Sequence, residues 1–118
     1  MSKVLIVEDD QFLRQLMARK LSEEKVTVLE AGDGGEGLEI LKKEKPNLVL
    51  LDLMLPSMDG FTFMQKMKEA KDTTPVVVLS NLGQDSDVTK AKSLGAKDYL
   101  VKANFTTEEI LQKVKQYL

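Results

Sequence analysis

Acidic, hydroxyl and amino side chains fall at recurring places in this 118-residue sequence. Glu8, Asp9 and Asp10 follow one apolar run, Asp52 a second, Ser80 and Asn81 a third, and Lys102 a fourth. Brought together, Glu8, Asp9 and Asp52 would crowd negative charge, since two carboxylates about 5 Å apart at an effective dielectric of about 20 repel by roughly 3 kcal/mol. Lys102 supplies one countercharge and a divalent ion would supply the rest. The chain contains no Cys and no His, which excludes thiolate and imidazole ligands, thiol catalysis and a histidine base. Oxygen ligands alone favour a hard cation. Mg2+ is the expected cofactor, because it keeps some of its waters and leaves room for a phosphoryl group. Such a site suits phosphoryl transfer, with a positioned carboxylate attacking in line while cation and ammonium neutralise the equatorial oxygens. Asp52 is the candidate nucleophile and an acyl phosphate its product.

These residues meet only if the elements carrying them end on one edge. Runs rich in Val, Leu and Ile at 4–7, 26–29, 48–51, 76–79 and 99–101 read as strands. Their hydrophobicity is continuous rather than alternating, which marks strands buried on both faces in a parallel sheet. Between them apolar residues recur at helical spacing: Leu13, Leu16, Met17 and Leu21, then Leu38 and Leu41, Met64 and Met67, Val88, Ala91 and Leu94, and Ile110, Leu111 and Val114. The methionines on these stripes are read as packing. Asp33 with Glu36, and Thr106 with Glu109, have the spacing of helix caps, and Gly95 suits a helix end. The expectation is one α/β domain over 1–118, a flavodoxin-like, doubly wound sheet of five parallel strands in the order 2-1-3-4-5 with five helices. In that order the acids after strands one and three flank the crevice where open α/β sheets hold ligands. Strand two, followed only by Glu30 and Ala31, lies at the outer edge.

Each residue taken singly has a plainer explanation. Asp9 or Asp10 could cap the following helix, Ser80 could be a turn hydroxyl, and Lys102 a solvated lysine. Asp52 resists the capping explanation, because Pro56 four residues on disfavours a helix starting at once.

In order and spacing, the acidic pair of "LIVEDD", the segment "DLMLPSMDG", the hydroxyl in "VVVLSN" and the lysine in "DYLVK" resemble the response-regulator receiver domain, and the resemblance covers essentially the whole chain. It implies a switch in two-component signalling, with Asp52 as phosphoacceptor. Glu8, Asp9, Asp52 and the backbone carbonyl of Met54 would hold Mg2+. Lys102 would pair with the phosphoryl group, Ser80 would hydrogen-bond it, and Tyr99 would change rotamer as Ser80 moves. The donor would be a phosphohistidine on a sensor histidine kinase or histidine phosphotransfer protein. The output would be a downstream protein or detached output domain, reached through the surface of helix four, strand five and helix five, with a phosphorylation-dependent dimer as one form. Intrinsic activity would be confined to accepting and losing the phosphoryl group. Ala103 stands where the family usually has a proline after a cis bond; a cis bond before a non-proline residue costs about 2.5–4 kcal/mol, so the sequence leaves the Lys102–Ala103 peptide, and with it the reach of Lys102, open between cis and trans. Met54 and Leu82 occupy positions that tune hydrolysis in the family, and neither can hold a water by a side-chain hydrogen bond.

The formal charge of −2 argues against direct nucleic-acid binding by the whole surface. No stretch resembles a signal peptide or spanning helix, so a cytoplasmic location without membrane contact is expected. Lys90, Lys92, Lys97, Lys113 and Lys115 read as a solvated basic face. Two rival readings remain. Residues 32–37 match the glycine spacing of a dinucleotide fingerprint, although Asp33 and Glu36 place negative charge where a pyrophosphate would lie. The other is an interaction module that keeps the fold without being phosphorylated.

Overall fold

The computed structural model describes residues 2–118. Strands β1 (Lys3–Val7), β2 (Thr27–Ala31), β3 (Leu48–Leu51), β4 (Val76–Ser80) and β5 (Asp98–Val101) alternate with helices α1 (Gln11–Ser22), α2 (Gly34–Glu44), α3 (Gly60–Glu69), α4 (Asp85–Ser93) and α5 (Thr107–Lys115). The strands form one parallel sheet in the order β2-β1-β3-β4-β5. This is the flavodoxin-like arrangement expected from the sequence.

The continuous apolar runs are explained by two cores, one on each face. Val4, Ile6, Leu48, Leu50, Val77 and Leu79 pack with Met17 and Leu21 of α1 and Ile110, Leu111 and Val114 of α5. The alternate residues Leu5, Val7, Val49, Leu51, Val76 and Val78 pack with Leu41, Phe63, Met64, Met67 and Ala91 of α2, α3 and α4. Every residue of β3 is buried, whereas β2 keeps partial exposure as an edge strand should. The methionines serve the core: Met17, Met64 and Met67 are all buried.

Strand two begins one residue later than its apolar pattern suggested and ends two later, at Ala31. Its pairing with β1, from Lys3 opposite Thr27 to Val7 opposite Ala31, outweighs the local preference of Val26. Helix starts follow capping chemistry closely. Thr106 and Glu109 form a reciprocal capping box, and Asp33 accepts from the Glu36 amide while Glu36 reaches back to the Gly32 amide at 2.8 Å. Gly95, at φ 108°, takes the left-handed turn after α4 and donates its amide to the Lys92 carbonyl.

Two of the glycines in residues 32–37, Gly34 and Gly37, serve close packing. A Cβ on Gly37 would lie 2.9 Å from Phe63 and 3.0 Å from Val7, and one on Gly34 would lie 3.1 Å from Met58. At the N-terminus of α2 the Asp33 carboxylate accepts from the Glu36 amide and the Glu36 carboxylate from the Gly32 amide, so two negative charges stand where a pyrophosphate would have to lie, against the dinucleotide reading.

Candidate functional site

All the polar residues named from strand ends lie along the carboxyl edge of the sheet. Strand β1 delivers Glu8, whose amide continues the ladder by donating to the Ala31 carbonyl at 3.0 Å. The Asp52 amide donates in the same way to the Val7 carbonyl, also at 3.0 Å, so both acids are fixed at the main chain. Asp10 is the cap of α1, its carboxylate accepting from the Leu13 amide at 3.1 Å. That settles the plainer explanation in favour of Asp10 and leaves Asp9 free of it.

Glu8, Asp9 and Asp52 each bring a carboxylate oxygen within 4.8 Å of the others, the one such acidic cluster among the described residues. Glu8 is 2% exposed and Asp52 4%, while Asp9 is open to solvent. Asp52 is oriented through both oxygens: Oδ1 accepts from the Met54 amide at 3.1 Å and Oδ2 from Lys102 Nζ at 2.9 Å. Lys102 Nζ also lies 2.6 Å from Glu8 Oε1, an ion pair whose angles fall short of a hydrogen bond, so Oε1 stays buried without a hydrogen-bond partner. Three carboxylates share the single Lys102 ammonium as countercharge, and an all-oxygen donor set short of positive charge suits a hard divalent cation. The donor set fits Mg2+.

Electrostatics follow from this crowding. Burial pushes the Glu8 carboxyl up to about 7, aided by the Asp52 charge and opposed by Lys102 and the Asp10 amide. Burial alone would pull the Lys102 ammonium down, but the close approach of Glu8 and Asp52 outweighs it and raises its pKa. Lys102 opens a short 3₁₀ turn, Lys102–Asn104, and no peptide bond among the described residues is cis, the bond to Ala103 included.

Ser80 is the last residue of β4 rather than the first beyond it, and is fully buried. Its Oγ accepts from the Leu82 amide at 3.3 Å, and the Tyr99 hydroxyl donates to the Leu82 carbonyl. One peptide segment thus joins Ser80 to Tyr99. Met54 follows Asp52 with its side chain 55% exposed.

Three features escaped the sequence reading. Gly60 lets the start of α3 press on the Asp52 loop, since a Cβ there would fall 2.6 Å from the Asp52 carbonyl oxygen. Phe12, in the first turn of α1, is 79% exposed beside the acidic segment. Arg14 donates to the Glu8 carbonyl at 2.7 Å. Residue type and spacing do not signal the Gly60 and Arg14 contacts, which depend on how α3 and α1 seat against the segments that precede them, or that no element covers Phe12.

Comparison with known proteins agrees with this architecture. The response regulator receiver domain family model matches residues 4–115. A probable transcriptional regulator, ycf27, of Porphyridium aerugineum is 37% identical over 116 residues, covering 98% of this chain and 48% of that protein. The chain therefore spans about half the length of such relatives. Sporulation initiation phosphotransferase F of Bacillus subtilis is 34% identical over 98% of this chain and 93% of its own length. The BeF3-activated receiver domain of Klebsiella pneumoniae RstA superposes with a TM-score of 0.89 at 31% identity, covering 98% of this chain and 97% of that one. No helix among the described residues is long and apolar enough to cross a membrane. With its family model, its relatives and its sheet topology in agreement, this chain belongs to the response regulator receiver domains of two-component systems.

Proposed function

We propose that the chain, over residues 1–118, is a phosphorylation-operated switch whose acceptor is Asp52. The observation that carries this reading is the placement of Lys102 Nζ 2.9 Å from Asp52 Oδ2 and 2.6 Å from Glu8 Oε1, beside a three-carboxylate cluster. Glu8, Asp9, Asp52 and the Met54 carbonyl would hold Mg2+. When bound, that ion supplies positive charge to the transferring oxygens. An Asp52 oxygen attacks phosphorus as the phosphorus–nitrogen bond to the donor imidazole breaks, and the bonding pair leaves with the imidazole. Lys102 stabilises the charge on the transferred group, and Ser80 donates its hydroxyl to it.

The name of the Bacillus subtilis relative, a phosphotransferase, supports this class of chemistry, as does the activation of the Klebsiella domain by BeF3. With the chain itself in the cytoplasm, a sensor histidine kinase or histidine phosphotransfer protein would be the donor, since the chain has no His of its own. The exposed Phe12 and Met54 offer such a donor apolar contact next to the acids. The added charge would draw Ser80 inward, and the Leu82 segment would pass that movement to Tyr99 and the surface of α4, β5 and α5. That surface would engage a downstream protein, a detached output domain or a second copy.

The test is to incubate the protein with Mg2+ and a small-molecule phosphodonor and measure intact mass. One added phosphoryl group is expected, absent in Asp52→Asn and in EDTA. A wild-type protein that never gains it, from a small donor or a phosphohistidine protein, would be an interaction module on the same fold.

A further inference from the structure

We infer that Arg14 is a positioning residue for the cation site, fixing the peptide between Glu8 and Asp9 from behind. The inference rests on the reading of Glu8, Asp9 and Asp52 as a divalent-cation site. Arg14 lies on α1, and its side chain is 16% exposed. Its Nη1 donates to the Glu8 carbonyl at 2.7 Å, and its Nε donates to Glu30 Oε1 at 3.2 Å. Glu30 belongs to β2, so a single guanidinium ties the exit of β1 to the neighbouring strand.

Taken group by group, Glu8 is held on almost every side. Its amide donates to Ala31 and its carbonyl accepts from Arg14. Its Oε2 accepts from the Asp10 amide at 3.1 Å, leaving Oε1 facing Lys102 and the acids. The Arg14 amide donates to the Asp10 carbonyl at 2.9 Å as the first bond of the α1 ladder, which seats the base of its side chain beside the acidic segment. The guanidinium lies over Gly32, where even a Cβ would stand in ordinary contact, 3.4 Å from Nη1. Rotation of the Glu8–Asp9 peptide would move both carboxylates, and the Arg14 bond to its carbonyl opposes that rotation.

Placing a cation behind a cation site is electrostatically adverse, which makes the inference decisive to test. If Arg14 acted only through its charge, removing it would tighten divalent-cation binding. If it positions the ligands, removing it weakens binding, as loss of an outer-shell partner does by about 10–100-fold. The experiment is Mn2+ titration of the full chain followed by electron paramagnetic resonance, well below the melting temperature measured in metal-free buffer. Arg14→Ala is expected to bind Mn2+ about tenfold more weakly than wild type. Arg14→Lys, which keeps the charge and one contact, should recover part of the loss, and Glu30→Gln should show a smaller loss. Should Arg14→Ala fail to fold, Arg14→Lys, which keeps the charge and leaves Glu8, Asp9 and Asp52 untouched, decides the matter by weaker or unchanged binding. Mn2+ affinity equal to or tighter than wild type in the folded variants overturns the inference while leaving the site reading intact. A wild type that takes up no Mn2+ overturns both.

Discussion

Lys102 Nζ lies 2.6 Å from Glu8 Oε1 although β3 and β4 stand between the strands from which the two residues emerge. The lysine crosses the carboxyl edge of the sheet to reach Glu8 and meets Asp52 on the way. Its ammonium is the nearest positive charge to two buried acids. Removing it therefore leaves them uncompensated.

Lys102→Met is accordingly expected to lower stability in EDTA by about 2 kcal/mol, less than a fully buried pair would lose because the lysine remains partly solvated. Saturating Mg2+ should restore much of that deficit, since it binds only the folded site. Urea unfolding with EDTA and with Mg2+ measures both. A deficit that Mg2+ leaves unchanged would show that the acids do not share a cation site.

The Glu8 carboxyl, raised by burial from 4.5 to about 7, carries a pH signature. Between those values the folded, metal-free protein holds a proton that the unfolded chain has released. Its contribution to stability is thus largest at low pH and declines as pH rises from about 4.5 to 7, then levels. The difference between wild type and Glu8→Gln, measured by urea unfolding in EDTA at pH 5 and pH 8, should carry this slope. A wild type that gains stability relative to Glu8→Gln with rising pH contradicts the assignment.

Gly60→Ala should cost about 1–3 kcal/mol through overpacking, because its Cβ would fall 2.6 Å from the Asp52 carbonyl oxygen and 2.7 Å from Leu53 Cα. The backbone atoms there cannot swing aside as a side-chain tip would, so Asp52 itself must move and its phosphorylation should slow. Gly35→Ala is the control. Its nearest neighbour, the carboxylate oxygen of the N-cap Asp33, is 3.5 Å away, and the helix should gain up to about 1 kcal/mol with phosphorylation unaffected. Chemical denaturation and timed intact mass separate the two variants.

Ser80→Ala deletes the acceptor of the Leu82 amide, and Tyr99→Phe deletes the donor to its carbonyl. Hydrogen exchange at the Leu82 amide should accelerate in Ser80→Ala. Tyr99→Phe should loosen the same segment while leaving the buried acids in place. Unchanged exchange in both would disprove Leu82 as the link between them.

Met54→Asn should shorten the lifetime of the phosphorylated protein by about tenfold, a small share of what a well-placed proton-transfer or water-orienting group contributes. Met54 is 55% exposed two residues past Asp52, where an amide could hold a water that a thioether cannot. Dephosphorylation followed by intact mass after removal of the donor provides the check.

Much of the fold was legible because its determinants are local. Runs such as Leu48-Val49-Leu50-Leu51 must be buried on both faces, and alternate residues indeed enter the two opposite cores. The Thr106 and Glu109 cap is a matter of spacing within one turn. The grouping of Glu8, Asp9, Asp52 and Lys102 was readable for the same reason, since parallel strands end on a common edge whatever their loops do. Strand two, read from the sequence as an outer edge followed only by Glu30 and Ala31, includes Glu30, which accepts from Arg14.

What only the tertiary structure decided is which long side chain reaches which partner. Local patterning does not specify that Arg14 turns back to the Glu8 carbonyl, that Lys102 spans two strands, or that Gly60 presses against the backbone of Asp52. Those contacts depend on strand register and helix placement, which are set by packing across the whole sheet rather than by the residues on either side of each position.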